Sequence, residues 1–481
     1  MDQNNLLTEE SLRQMFRNNA DVVIHRYQFG DRRQTQTVLL VYCEGLANTQ
    51  QIHQFVLPRL EKWAAGMNRE PDTGMELELI RFEQKQEIIP RVFSGQLVIY
   101  FAGHQHLFAM DIADPPSRSP EDSNTEISIK GPRDGFVETL QTNVALVRKR
   151  LPVTSLRYEQ FTIGTVSQSK VALLYIDGKI QPAIVDEARR RLNNIDIDVL
   201  LGSTQLEEML SDSTLSLFPL VTYTGRPDFV ADSLVRGRFA ILVDGSPMAV
   251  IAPVNFSMLL KSPEDLYSPF FFASFEMVVR MAGLAISLLL PGFWVALASF
   301  NMEQLPFPLL ATLVTARHGL PLPGPLEAVL MLGLFELFRE SGIRLPKAIG
   351  QTMAVVGGIV VGDAVIRAGL ASTTMLIVSA VTAVATFTLV NQTLTGSVTV
   401  IRFAVLLCSS FLGMYGFIMG LIAIIIYMSR LESFGVPYLA PVSPVSPKEL
   451  LGAIFRKPMK FGSKKQSILQ SKNPNREGGR R

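Results

Sequence analysis

Cysteine is almost absent from this chain, with two in 481 residues, Cys43 and Cys408. One pair so far apart builds neither a disulfide framework nor a cysteine-based metal site. Charge is also scarce, at 18% of residues against about 25% in an ordinary soluble protein. Nucleotide-binding signatures are missing: there is no G-x-G-x-x-G, and GTVSQSK at 164–170 lacks the second glycine that a phosphate-binding loop needs before its lysine. No G-x-S-x-G nucleophile elbow occurs. His104 and His106 form an H-x-H, but no H-E-x-x-H and no cysteine pair supplies a further zinc ligand. These absences leave no expected catalytic residue, metal or cofactor. The N-terminus, MDQNNLLTEESLRQMF, has neither the basic start nor the apolar centre of a secretory signal, so the first block is expected to stay in the cytosol.

What the chain does have is long apolar runs and an uneven charge distribution. Its net charge of +2 divides into 27 basic and 34 acidic residues over 1–270, 7 and 6 over 271–429, and 11 and 3 over 430–481. An acidic block, a nearly neutral block and a basic tail exclude a single soluble domain. Confinement of the basic charge to the tail argues against nucleic acid as a partner. The expected organisation is a soluble subdomain at 1–115, a second at 126–270, a polytopic membrane domain at 271–430, and a basic, proline-containing cytosolic tail at 431–481.

Three runs carry no charge: Met281–Phe300, Ala371–Ile401 and Phe403–Ser429. At 1.5 Å per residue, about 20 apolar residues cross the hydrocarbon core, so each is expected to span a bilayer. Residues 305–340 are shorter, proline-interrupted and punctuated by charge, and are expected to be re-entrant, broken or interfacial. The next segment, through residue 372, is rich in small residues, with Gly358 and Gly362 spaced for close helix packing. Asp363 and Arg367 share a helix face. Like Glu336, Arg339, Glu340 and Arg344, they are either an interfacial collar or the lining of a polar path. The basic tail places the C-terminus inside. With both ends cytosolic the number of crossings is even, four or six.

The soluble block reads as α/β or α+β. TVLLVY (37–42), QLVIYF and HLFAMDI (a hairpin about Gly103), VALLYI (171–176), RFAILV (238–243) and MAVIAPV (248–254) have strand character. Helical patterns fall at TQQIHQFVLPRLEKWAA, AIVDEARRRL and STQLEEML, and on the stripe Phe136, Leu140, Val144, Val147 and Leu151. Residues 114–125 form a loop between the two halves.

Five segments in order then show a resemblance: GPRDGFVETLQTNVALVRKR, RPDFVADSLVRGRFAILVDGSPMAVIAPVNF (226–256), SPEDLYSPFFFASFEMVVR (262–280), FRESGIRLPKAIGQTMAVVGGIVVGDAVIRAGLAS (338–372) and SFGVPYLAP (433–441). The chain resembles the A subunits of the GerA-type spore germinant receptors of endospore-forming bacteria. The resemblance implies a two-subdomain cytosolic domain, a multi-pass helical domain and a cytosolic tail in the spore inner membrane. It further implies a transporter-like B subunit holding the nutrient pocket, a lipoprotein C subunit, and a homo-oligomer of A subunits that forms an ion path during germination, without enzymatic activity. Its signature positions here are Arg339, Glu340, Arg344, Pro346, Gly350, Gln351, Gly357, Gly358 and Gly362 in the membrane block. In the soluble block they are Gly131, Pro132, Asn143, Arg226, Pro227 and Asp228. Asp363 departs from the family, which often has an uncharged residue, Glu or Gln there. A pore lined by that helix would be constricted at Val355, Val356, Val360 and Val361. Two alternatives stay open: a secondary transporter, and a non-conducting scaffold whose basic tail rests on anionic membrane lipid.

Overall fold

The computed structural model describes residues 8–29, 36–65, 79–82, 84–102, 106–116, 130–344 and 362–443, together with Gly452 and Phe455. The soluble part consists of two five-stranded antiparallel sheets. The first orders its strands β1-β2-β4-β5-β3, from Val22–Phe29 (β1), Gln36–Cys43 (β2), Ile80–Phe82 (β3), Leu97–Phe101 (β4) and His106–Met110 (β5). The second orders them β6-β7-β9-β10-β8, from Leu156–Ile163 (β6), Ser169–Ile176 (β7), Thr222–Thr224 (β8), Phe239–Val243 (β9) and Ala249–Ala252 (β10). Replacing each strand of the first by the one five places later gives the second. The helices follow the same rule. Glu9–Met15 (α1), Leu57–Ala65 (α2) and Ile88–Phe93 (α3) fall where Leu140–Arg150 (α4), Pro182–Asn193 (α5) and Pro227–Val235 (α7) recur, with Ser203–Leu210 (α6) added. The soluble domain is therefore a duplicated unit.

The layering follows from alternation along the strands. In β7 and β9, Ala172, Leu174, Ala240 and Leu242 face α4 and α7, while Leu173, Ile241 and Val243 face α5 and α6. Burial on both faces makes these strands continuously apolar, the pattern that marked them in the sequence. In the first subdomain, Leu39 and Val41 face α1 and α3, and Val38 and Leu40 face α2. Phe136 is buried on the expected stripe but precedes the helix, which begins at Leu140.

The remainder is helical. Among the described residues, Phe270–Phe300 (α8) and the stretch Gln392–Arg430 are long and apolar enough to cross a membrane. Between them come Phe307–Arg317 (α9), Gly324–Arg344 (α10), Gly362–Arg367 (α11) and Thr373–Phe387 (α12). Two sequence expectations are corrected here. The run Ala371–Ile401 is not one helix: α12 ends at Phe387, and Asn391 caps a new helix by accepting from the Leu394 N–H at 3.0 Å. The run Phe403–Ser429 is not one helix either. Gly413 adopts φ +59°, ψ −138° inside it, and a Cβ on Gly420 would lie 3.6 Å from Val405 Cγ2. Fifteen residues of straight helix would separate these two by about 22 Å, so the chain folds back into two legs, α13 (392–412) and α14 (414–430). The segment 305–340 is broken at its prolines, between α9 and α10, and from Gly324 onward the helix continues through its charges. Within it Glu327, Glu336 and Arg339 reach partners outside the helix.

One apolar cluster joins the halves. Phe218, Leu220 and Leu259 of the second subdomain pack with Met277 of α8, Leu394 and Val398 of α13, and Met428 of α14.

Candidate functional site: the joint and the buried charges

Two polar clusters stand out, one where subdomain 2 meets α8 and one within the bundle. At the joint, Pro227 opens α7, where its missing N–H costs nothing. That places Arg226 just before the helix and Asp228 in its first turn. The buried Arg226 guanidinium donates to Asp228 at 3.1 and 2.7 Å and also to Glu264, which precedes α8. Burial opposes its charge, but the two carboxylates outweigh this and hold its pKa above the ordinary value. Tyr267 donates to Asp228 at 2.8 Å; burial first, then that carboxylate, raises the phenol to about 12. A Cβ on Gly131 would meet Arg226 and come within 2.8 Å of the Tyr267 ring, so glycine permits the close approach. Glu264 also accepts from the Lys130 N–H at 3.0 Å. Neighbouring Asp265 takes Arg280 of α8 at 2.7 and 2.9 Å. An ionic chain thus runs from α7 to the first long helix.

Of the soluble-block positions singled out in the sequence, Gly131, Arg226, Pro227 and Asp228 meet at this joint, with Pro132 adjoining. Asn143 does different work. Its amide accepts from the Val137 N–H at 2.8 Å and donates to the Val137 carbonyl at 2.5 Å, which fixes the approach to α4. Glu264, Tyr267, Asp265 and Arg280 were not singled out from the sequence, although they lie within the SPEDLYSPFFFASFEMVVR segment.

In the bundle, Glu336 and Arg339 pair along α10. Arg402 of α13 is 4% exposed, reaches Glu336 at 3.3 Å and donates to Thr386 of α12 at 3.1 Å. Arg339 donates to Thr399 at 3.2 Å. Three helices are thereby tied by one carboxylate and two guanidiniums, and Nε of each arginine is buried without a hydrogen-bond partner among the described residues. Arg402 went unnoticed in the sequence because it sits between two apolar runs and was passed over as their separator. A lone charge so placed is itself the signal. Toward the other end of α10, Glu327 is 1% exposed and accepts from the Ser372 N–H at 2.6 Å and from its hydroxyl. Arg317 lies 3.9 Å from it.

The remaining bundle candidates scatter. Gly350, Gln351, Val355, Val356, Gly357, Gly358, Val360 and Val361 lie outside the described residues, as does Pro346. Gly362 is buried, and a Cβ there would lie 3.5 Å from Leu376 Cδ1. Asp363 lies within α11 and Arg344 ends α10. Arg367 and Glu340 are exposed. Among the described residues no group of His, Cys, Asp and Glu could hold a metal ion.

The family model of the Bacillus/Clostridium GerA spore germination protein matches residues 10–468. The chain belongs to the GerA spore germination family. Spore germination protein XA of Bacillus anthracis is 40% identical over 98% of this chain and 97% of its own length. Spore germination protein KA of Bacillus subtilis (strain 168) is 33% identical over 95% of this chain and 85% of its own. The crystal structure of the N-terminal domain of the A subunit of the Bacillus megaterium spore germinant receptor GerK3 shares 29% identity, covering 52% of this chain and 96% of that one at a TM-score of 0.39. In this member of the GerA family, Gly131, Arg226 and Asp228 meet at the joint with the first long helix.

Proposed function

We propose that this chain is the A subunit of a nutrient germinant receptor, working with a transporter-like B subunit and a lipoprotein C subunit in the spore inner membrane. In this reading residues 271–430 cross the bilayer several times with both ends cytosolic, A subunits oligomerise, and nutrient binding in the B subunit is converted into ion release. Membership of the GerA family along nearly the whole chain supports the receptor role. The observation that carries the transduction step is the Glu336–Arg339–Arg402 cluster, where charge is held between three helices of the bundle. Ionisable groups at membrane depth are costly and mark ion paths or switches. The Arg226–Glu264 and Asp265–Arg280 pairs supply a mechanical link from the soluble domain to α8. Gly362 and the glycines preceding it remain the assigned pore-lining face, with Asp363 and Arg367 at its end.

Glu336→Gln removes the charge both arginines share and leaves two cations close together. Spores carrying it should release monovalent cations in response to nutrient at least tenfold more slowly, or release them without nutrient. Unchanged release kinetics in both Glu336→Gln and Arg402→Gln spores would remove the cluster from the mechanism. Unchanged release with bulky residues at Gly358 and Gly362 would remove the pore assignment.

A further inference from the structure

Two leucines stand bare on a turn of subdomain 2 that is otherwise fixed in place. Between α6 and β8, the Ser216 N–H donates to the Ser213 carbonyl at 3.3 Å and closes a turn, and the Ser216 hydroxyl donates to the Phe218 carbonyl at 2.7 Å. Leu215, within this turn, is 89% exposed, and Leu217 is exposed beside it. Both ends of the turn are anchored. Phe218 is buried, while Asp212 takes Arg191 at 2.6 Å and the Phe434 N–H at 2.8 Å. The one carboxylate at the turn is thereby committed, and 213–217 carry hydroxyls and leucines alone.

Exposure by itself marks nothing, since single apolar side chains are common on surfaces. Leu201, before the other end of α6, is 83% exposed. Depth separates the two positions. The Leu217 N–H donates at 2.9 Å to the hydroxyl of Tyr427, three residues before the end of α14. That helix follows Gly413, which lies against Phe300 at the end of α8. Its length is about 26 Å, against about 30 Å of hydrocarbon. With Phe300 at one boundary of the hydrocarbon, the Tyr427 end of α14 falls short of the other. The first long helix agrees. Its uncharged run Met281–Phe300 fills about 30 Å alone, which leaves the exposed Phe270, Phe271, Phe272 and Phe275 of its first turns at headgroup depth. Met277, in those turns, shares an apolar cluster with Phe218 and Met428. The exposed apolar face of α14, with Ile418, Ile422, Ile425 and Ile426, ends beside Tyr427.

We propose that the 213–217 turn is a lipid-contact element, with Leu215 and Leu217 entering the boundary between headgroups and acyl chains in the leaflet on the side of subdomain 2. The inference rests on the membrane placement of α8 and α14 proposed above. The Ser216 and Leu217 N–H groups are already bonded within the protein, so the turn enters a region of low polarity without stranding them. Its hydroxyls suit headgroups and its leucines acyl chains. Because 213–217 carry no charge, the contact does not require anionic lipid. The bilayer then braces subdomain 2 directly, and not only through the helices that follow it.

The test uses the full chain in vesicles of phosphatidylcholine, in a Cys408→Ala background with the buried Cys43 left in place. A nitrobenzoxadiazole probe is attached at Leu215→Cys, at Ile425→Cys on the exposed face of α14, or at Leu201→Cys, and lipid with a nitroxide high on its acyl chain is the quencher. Fluorescence should fall by about half at 215 and 425 and by less than about a tenth at 201, the difference between interfacial and aqueous depth. Leu217→Cys takes the place of Leu215→Cys should the latter not fold or label. Quenching at 425 without quenching at 215 overturns the proposal and leaves the membrane placement standing. Quenching at neither position overturns the placement, and the proposal with it. Equal quenching at 215 and 201 also overturns the proposal. So does a probe at 215 that is shielded from aqueous iodide yet untouched by the nitroxide, because a second copy of the chain then covers the turn in place of lipid.

Discussion

The two soluble subdomains share one topology and have opposite connections. Subdomain 1 touches the rest of the chain mainly through subdomain 2. Arg148 of α4 reaches across to Asp21 with bonds of 2.7 and 2.8 Å, stacks over Phe93 at 4.4 Å and is fully buried. Subdomain 2 is bound to the bundle at several points. Its backbone at Leu217 donates to Tyr427 of α14 at 2.9 Å, Thr222 accepts from Asn391, and the segment after α14 returns into it. There Ser433 donates to the Leu220 carbonyl at 2.7 Å, Phe434 packs edge-on against Phe239 with ring centroids 5.0 Å apart, and Tyr438 is fully buried beside Phe218. The proline-containing tail expected from residue 431 thus begins as part of subdomain 2's core. Duplication supplied two similar units, and only one of them became the coupling.

The sharpest way to break this comparison is at Arg148. Arg148→Met leaves Asp21 charged and buried, which should cost about 3–5 kcal/mol. Hydrogen exchange should rise in β1 and β2 before β9 and β10, and Asp21→Asn added to Arg148→Met should recover part of the loss. Equal loosening of both sheets would show that the subdomains form a single cooperative unit. At the other junction, Tyr438→Ala should cost about 3–5 kcal/mol by emptying an aromatic site. Its hydroxyl has no hydrogen-bond partner among the described residues, so Tyr438→Phe should change stability by less than about 1 kcal/mol. A large loss in Tyr438→Phe would mean the hydroxyl is bonded in solution. The smallest expected effect lies in α6, which subdomain 1 lacks. Burial raises Glu207 to about 7, so its charged form destabilises the fold above that pH and the cost fades as pH falls toward the unfolded value. Glu207→Gln should therefore stabilise by about 1–3 kcal/mol at pH 8 and by nearly nothing at pH 4. A pH-independent gain would assign the effect to packing.

Much of the soluble fold was legible. Strands buried on both faces announce themselves as unbroken apolar runs, which is why β2, β4, β7 and β9 were placed within a residue or two. Their duplication was not, because the same layer tolerates Val38 and Leu40 in one copy and other apolar residues in the next. In the bundle, absence of charge misled. Gly413 lies inside 27 uncharged residues, and only its backbone angles reveal the reversal. The break before Asn391 carried a visible sign in the polar Asn391–Gln392–Thr393, an N-cap signature overridden by hydropathy. At the joint, resemblance singled out Arg226 and Asp228, but pairing across 38 residues to Glu264 appears only once the chain is folded.

The reversal at Gly413 makes the last two legs a hairpin clamped at both feet. Asn391 holds one foot to subdomain 2, and Tyr427 with Tyr438 holds the other, while the tip rests on Phe300 at the far end of α8. A leg of 21 residues is about 31 Å long, so each degree of tilt at the feet displaces the tip by roughly 0.5 Å. Subdomain 2 is in effect the handle of a lever whose working end lies on the opposite side of the bundle.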